Sequence, residues 1–273
     1  MDFPLARQRF YEEIHQPQIS LARAALYMAQ EEYPDLEPEA YLNRLDSMAS
    51  ELKERLPEAA YPLRIIQTLN RYLFEELKFH GNTDQYYDPR NSYLNQVIER
   101  RTGIPITLSL VYLELASRIG FPMVGVNMPG HFLIRPVVAE MEIFVDPFHN
   151  GEVLFIEDCQ HRINQTFGRP VVLRPEFLAE ISSRQFLARM LGNLKAIYLA
   201  RSEIKKALAA VDRMLLLFPD SAIDHRDRGI LYYQTGRWTE ACLELETYLT
   251  QMPAAEDAAA IQALLEQMRN LDK

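Results

Sequence analysis

Residues 101–119 read RTGIPITLSLVYLELASRI, and from Pro105 onward the run is apolar nearly all round. Proline has a fixed φ and no amide donor, which suits a first helical position, so a helix is predicted to begin at Pro105. A helix that is apolar on every side belongs in a core. This stretch is therefore expected to be the central buried helix. Arg101-Thr102-Gly103 just before it predicts the stop of a short helix carrying Tyr93, Leu94, Val97 and Ile98, with the glycine in the left-handed position.

Upstream, three stretches show helical spacing: Ile19, Ala22, Leu26 and Ala29; then Leu42, Leu45, Met48, Ala49 and Leu52; then Leu63, Ile66, Leu69, Asn70 and Leu73, running to about Lys78. All three are amphipathic and are expected to cover the core from outside. Downstream, β-branched and aromatic content between turn residues predicts strands at 122–128, 131–135, 142–146 and 152–155. The last of these follows Asn150-Gly151, a hairpin pair. The fold class expected is α+β, a small antiparallel sheet wrapped on the central helix, with a linker near Arg174-Pro175.

The last hundred residues repeat. A shift of 34 positions superposes Tyr198 on Tyr232, Ala207 on Ala241, Leu215 on Leu249 and Pro219 on Pro253. Small, aromatic and proline positions at that period are the tetratricopeptide (TPR) pattern of stacked helical hairpins. The first copy has Lys195 where the second has Gly229. A final helix with Ile261, Leu264, Leu265 and Met268 is expected to cap the stack.

Composition narrows the function. The 273 residues are 48% hydrophobic and 25% charged, so the chain can bury a real core. Ten glycines are few, and no phosphate-loop signature occurs. A net charge of −9 has the wrong sign for binding nucleic acid or anionic membrane. Two cysteines, Cys159 and Cys242, make neither a disulfide framework nor a C-x-x-C site. Neither an apolar leader nor a span of about 20 apolar residues is present, so a cytoplasmic chain is expected.

The residues able to carry chemistry are His131 and Asp146. If the turn between their strands centres between Val138 and Ala139, the two stand opposite each other; a shift of two residues makes them diagonal neighbours on one face. Either register brings their Cβ atoms within about 5–8 Å. A carboxylate on one imidazole nitrogen fixes the tautomer and raises the basicity of the other, the base half of a Cys-His-Asp or Ser-His-Asp site.

Gly103, Ser109, Gly120-Phe121-Pro122, His131 and Asp146-Pro147 carry the internal spacing of the transglutaminase-like core, and the chain resembles that family, whose fold is papain-like. More closely, Asp88-Pro89-Arg90-Asn91-Ser92-Tyr93-Leu94, Arg101 to Ile106, Pro129-Gly130-His131-Phe132 and the C-terminal repeats are similar to the bacterial SirB-type family. The resemblance implies a helical part of the core at 1–80, a transglutaminase-like core at 81–174 and TPR-like repeats with a cap at 175–273. It also implies that His131 and Asp146 are a retained dyad and that the nucleophile position holds Pro105, which has no nucleophilic atom. Thr107 and Ser109 project about 200° and 40° from Pro105 around the helix, and the latter matches a buried small position.

Each candidate has a plainer alternative. His131 can be a half-buried histidine satisfied by Asp146, and Asp146 before Pro147 can be turn chemistry. His131, Asp146 and His149 lack a fourth metal ligand, so no metal or cofactor is expected. Arg90, Asn91 and Ser92 either line the same cleft or follow a cap at Asp88 or Asn91. Trp238 and Tyr232 are candidates for partner contact on the repeats, or simply packed. The reading these weigh toward is a non-catalytic, protein-binding or regulatory module acting through its TPR-like repeats. The alternative is a hydrolase or amide-transfer enzyme using His131 and Asp146 with a hydroxyl or water.

Overall fold

A computed structural model describes residues 5–58, 61–138 and 141–271. Its contacts divide into two compact units, 1–190 and 191–273. In the first, helices α1 (Leu5–Ile14), α2 (Leu21–Gln30), α3 (Pro38–Arg55) and α4 (Pro62–Asn70) come first, and α4 runs on as a π-helical segment, Arg71–Glu76. Helices α5 (Leu94–Arg100) and α6 (Pro105–Arg118) follow. Proline opens α3, α4 and α6 alike, as its geometry favours. Most of the expected apolar positions are buried, Leu42, Leu45, Met48, Ala49 and Leu52 on α3 and Ile66 and Leu69 on α4, but Leu63, in the first turn of α4, is exposed, and Ile19 lies before α2 and is only half-buried. From Pro105 to Leu113 every residue of α6 is buried, so it is the central helix.

The stop before α6 is made differently from the sequence expectation. Arg101, at φ 55°, takes the left-handed cap position after α5. Gly103 instead lies in β2 (Thr102–Gly103), which pairs in parallel with β1 (His80–Gly81). A Cβ on Gly103 would come within 2.8 Å of Thr107 Oγ1, so close approach of chains, not a turn, calls for glycine there.

Four strands form the main sheet in the order β3-β4-β5-β6: Met123–Val126, Leu133–Pro136, Phe144–Asp146 and Glu152–Leu154. All pairings are antiparallel. Ala139 lies outside the described residues, but the register is set beside it by Ile134 opposite Val145. That is the two-residue shift that makes His131 and Asp146 diagonal. Successive residues on a strand point to opposite faces. Val126, Leu133, Phe144 and Leu154 form one cluster with Cys159 of α7 (Ile156–Phe167). Asp146 shares the parity of Phe144 and so belongs to this α7 face. His131 does not begin a strand: Gly130 at φ 77° turns the chain, the His131 amide donates to Met128 O, and β4 starts only at Leu133.

The contact division falls inside α8 (Ser183–Ala200), later than the linker expected near Arg174-Pro175. The intervening segment packs on the sheet. Glu180 bridges Val126, the Ile181 amide donates to Gly125 O, and the Phe186 ring meets Phe132 edge-on at 5.0 Å.

In the second unit α9 (Ile204–Leu217) and α11 (Trp238–Gln251) begin one 34-residue period apart, with α10 (Ala222–Gln234) between them and α12 (Ala258–Leu271) last. Gly229 lets α10 and α11 touch: a Cβ there would lie 2.7 Å from Leu245. Lys195, at the equivalent place one repeat earlier, sends its ammonium to Asp227 at 2.7 Å and Asp224 at 3.3 Å. Ile261, Leu265 and Met268 of α12 close the cluster around Ala241, Leu245 and Tyr248.

Candidate functional site

Asp146 ends β5 and is fully buried. Its Oδ1 accepts the backbone amides of Phe148 (3.0 Å) and His149 (3.4 Å), which winds Pro147–His149 into a 3₁₀ turn. Asn150 and Gly151, both left-handed, bring the chain back to β6, and the Gly151 amide donates to Asp146 O. The turn chemistry read at Asp146-Pro147 and Asn150-Gly151 is therefore present. Oδ2 has a second use. It accepts Arg162 Nη1 at 2.5 Å and stands 2.7 Å from His131 Nε2 and 2.8 Å from His149 Nδ1, while the same Arg162 Nη1 stands 2.9 Å from His149 Nδ1. Burial pushes this carboxyl's pKa up, but hydrogen bonds and charge from His131 and His149 outweigh it and hold the group below the ordinary aspartate value.

His131 and Asp146 thus stand within hydrogen-bond distance, and two further residues share the same oxygen. His149 was visible as a neighbour in sequence. Arg162 was not. It lies on α7 beside Cys159 and Ile163, the buried pair of an amphipathic helix. A basic residue flanking a buried helical stripe is the only signal the sequence offered. Arg162 also pairs with Glu152 on β6.

His131 and His149 border a cavity of about 440 Å³ whose other walls are Glu152, Leu154 and the α7 residues Asp158, His161, Arg162, Gln165 and Thr166. Gly130 is pressed on Thr166, where a Cβ would lie 2.2 Å from the methyl carbon. Helix α6 contributes nothing to this lining. The ring of Phe148 links the dyad to the start of α6: it meets His131 and Tyr86 edge-on at 6.4 and 6.0 Å and lies against Gly81, which pairs with Gly103.

A ligand atom from each of His131, Asp146 and His149 falls within 4.8 Å of the others. Their 2.7 and 2.8 Å separations are those of hydrogen bonds. Ligands held about 2.0–2.1 Å from a tetrahedral ion stand about 3.3 Å apart, and Arg162 already supplies a cation at the shared oxygen. The trio fits a hydrogen-bonded cluster better than a metal site.

Pro105 is buried at the first position of α6. Thr107 and Ser109 are fully buried as well. Thr107 Oγ1 donates to Asn91 O and accepts the Ile104 amide, while Ser109 Oγ has no described partner. Cys159 is buried, and desolvation pushes its thiol up to about 11. Asn91 is a clasp inside the first unit. Its amide donates to Gln85 O and Tyr86 O, and its Oδ1 accepts from Asn82 and Arg100. Asp88 caps the next turn through the Arg90 amide and holds the Arg90 guanidinium at 2.6 Å. Arg90, Asn91, Ser92 and Ser109 are not among the residues lining the dyad cavity. On the repeats, Trp238 and Tyr232 are half-buried; Trp238 meets Tyr233 at 5.3 Å, and the Arg237 guanidinium covers the Tyr232 ring at 4.0 Å.

Comparison with known proteins identifies both parts of the chain. Residues 39–192 match the transglutaminase-like superfamily, and residues 194–266 match the tetratricopeptide repeat. A UPF0162 protein of Xylella fastidiosa (strain 9a5c) is 37% identical, over 92% of this chain and 91% of its own. A UPF0162 protein of Pseudomonas aeruginosa is 33% identical over 84% of this chain and 83% of its own. F-box only protein 21 of Homo sapiens is 32% identical over 67% of this chain, which is 30% of that longer protein. No solved structure matches the chain significantly.

Proposed function

The chain belongs to the transglutaminase-like superfamily and carries tetratricopeptide repeats behind that domain, and from this premise we propose that it is a non-catalytic member acting as a protein-binding or regulatory module. One observation carries the reading: where the family resemblance places the nucleophile stands a buried proline at the start of α6. Covalent acyl transfer needs an activated thiol or hydroxyl within hydrogen-bond reach of its base. Thr107 and Ser109 are sealed in the core, and Cys159 is a buried thiol with a raised pKa. Crowding of Asp146 Oδ2 by three nitrogens supports the same reading, since that charge is then not reserved for an imidazolium forming at His131. Repeat stacks present concave surfaces to partners, and the repeats are the proposed docking element. A cytoplasmic setting is part of the proposal, in keeping with two cysteines that form no disulfide. No helix among the described residues is long and apolar enough to cross a membrane.

The test is turnover of amide and ester panels by wild type and His131→Ala, with mass spectrometry for covalent adducts. The proposal expects the two proteins to share one background rate and to carry no adduct. Turnover that depends on His131, or an acyl group trapped on any side chain, overturns it. In parallel, affinity capture with wild type and Trp238→Ala is expected to lose partners with the variant.

A second reading, hydrolysis by the His131–Asp146 pair with a bound water or hydroxyl, is favoured by one feature. Asp146 engages Nε2, leaving Nδ1 without a described hydrogen bond beside the 440 Å³ cavity. The same assay decides between the two.

A further inference from the structure

A second cavity, of about 520 Å³, opens beside the π-helical segment and is lined by Arg55, Arg64, Gln67, Thr68, Asn70, Arg71, Glu75, Glu76 and Asn150. Three guanidiniums meet there in a chain whose net charge is −9. Against the two glutamates the lining keeps an excess of positive charge, opposite in sign to the molecule as a whole.

The winding of the chain builds this place. At about 100° per residue, positions 71 and 76 of an α-helix would stand about 140° apart. The i→i+5 winding, seen in the Leu77 amide donating to Tyr72 O, brings them to the same side. Glu76 then accepts Arg71 Nε at 3.1 Å on one oxygen and Arg55 Nε at 2.9 Å on the other. Arg55 is fixed further: its Nη1 donates to Glu51 O at 2.5 Å and its plane covers the Tyr72 ring at 4.8 Å. The Arg64 guanidinium has no partner among the described residues. Segments of π-helix are rare and cluster at functional sites. Here the segment sets two arginines around one carboxylate and leaves Arg64 and Glu75 at the opening without an ion pair among the described residues.

The back of the cavity touches the dyad loop. Asn70 Nδ2 donates to Gly151 O at 2.6 Å, and its Oδ1 accepts the hydroxyl of Tyr112 from the central helix at 3.0 Å. Asn150, in the left-handed conformation, lines the opening directly.

We propose that this cavity is a binding site for a small tetrahedral oxyanion, a phosphate or phosphate monoester, held by Arg64 with Arg55 and Arg71. Guanidinium forks match phosphate oxygens in pairs, while Gln67, Thr68 and Asn150 add neutral polar groups around them. Occupancy reaches the Asn150–Gly151 turn, so the anion is sensed next to Asp146 without entering the dyad cavity.

The test titrates the full chain with inorganic phosphate and with pyrophosphate, reading amide shifts by heteronuclear NMR. Saturable shifts at Asn150, Gly151 and Gln67 are expected. Arg64→Gln is expected to weaken binding about tenfold or more, the loss of one charge-assisted pair. Lys205→Gln, the same charge change on α9 outside the cavity, is expected to leave it unaltered. Unchanged spectra of the remaining residues show that the variants are folded. Either absence of saturable shifts with both anions or equal weakening by Arg64→Gln and Lys205→Gln overturns the proposal.

Discussion

Replacing Asp146 by asparagine isolates the residue on which the site converges. In the native protein Oδ1 takes two backbone amides and Oδ2 faces three nitrogens, of His131, His149 and Arg162, all at a fully buried carboxylate. Asparagine can keep the two backbone bonds, but its NH₂ then faces His131, His149 and Arg162. His149 is half exposed and recovers water, whereas His131 and Arg162, with side chains only 13% and 19% exposed, do not. Breaking a buried pair from one side costs about 3–5 kcal/mol, and that is the loss expected at neutral pH. The pH dependence has a definite sign. The carboxyl's pKa is held below its ordinary value in the folded state, so its contribution is complete above about pH 4 and lost as pH falls through the folded pKa. The gap between wild type and variant should therefore close in acid. Trp238 is the only tryptophan and lies in the repeats. Its fluorescence in urea thus follows the second unit, while hydrogen exchange of residues 142–156 follows the first. A gap below about 1 kcal/mol at neutral pH, or one undiminished at about pH 3, would refute the argument.

Gly229→Ala places a methyl 2.7 Å from Leu245 and should destabilise the repeats by about 1–3 kcal/mol, read from Trp238 fluorescence in urea. Ala241→Leu overfills a fully buried position in the same cluster and should cost a similar amount, about 1–3 kcal/mol, by the same assay. Alkylation by iodoacetamide followed by peptide mass mapping should modify the partly exposed Cys242 first. Cys159 should resist until the first unit unfolds, because its thiol is buried and pushed up to about 11.

Much of this architecture was readable because it rests on local physics. Pro105 and the apolar run behind it announce a buried helix. The 34-residue period announces the hairpins, and the observed helix starts at Ile204 and Trp238 are one such period apart. The proximity of His131 and Asp146 was legible from the strand pair they flank, even though His131 stands in the turn before β4 and the register is shifted by two residues. What escaped depended on contacts distant in sequence. Nothing near Gly103 says that it is needed for approach to Thr107 while Arg101 does the turning. Neither does Arg162, sixteen residues past Asp146, show that it will share that carboxylate. The π-helical winding after Asn70 was read as continuing helix because its apolar spacing is compatible with either.

On the proposed non-catalytic reading, the geometry of Asp146 also accounts for a dyad that serves no nucleophile. Its two oxygens tie together four separate pieces of chain: the loop holding His131, the end of β5, the turn at Phe148 and His149, and helix α7 through Arg162. In a catalytic triad the carboxylate orients one imidazole and stabilises its positive form. Here the same atom fastens α7 to the sheet, and Arg162 carries the link on to β6 through Glu152. The residue at position 105 contributes no contact to this network, because Pro105 lies buried on α6 and α6 does not wall the cavity beside His131. Loss of Asp146 would release all four pieces. The pair can therefore be retained for what it holds together, and its presence alone is no argument for turnover.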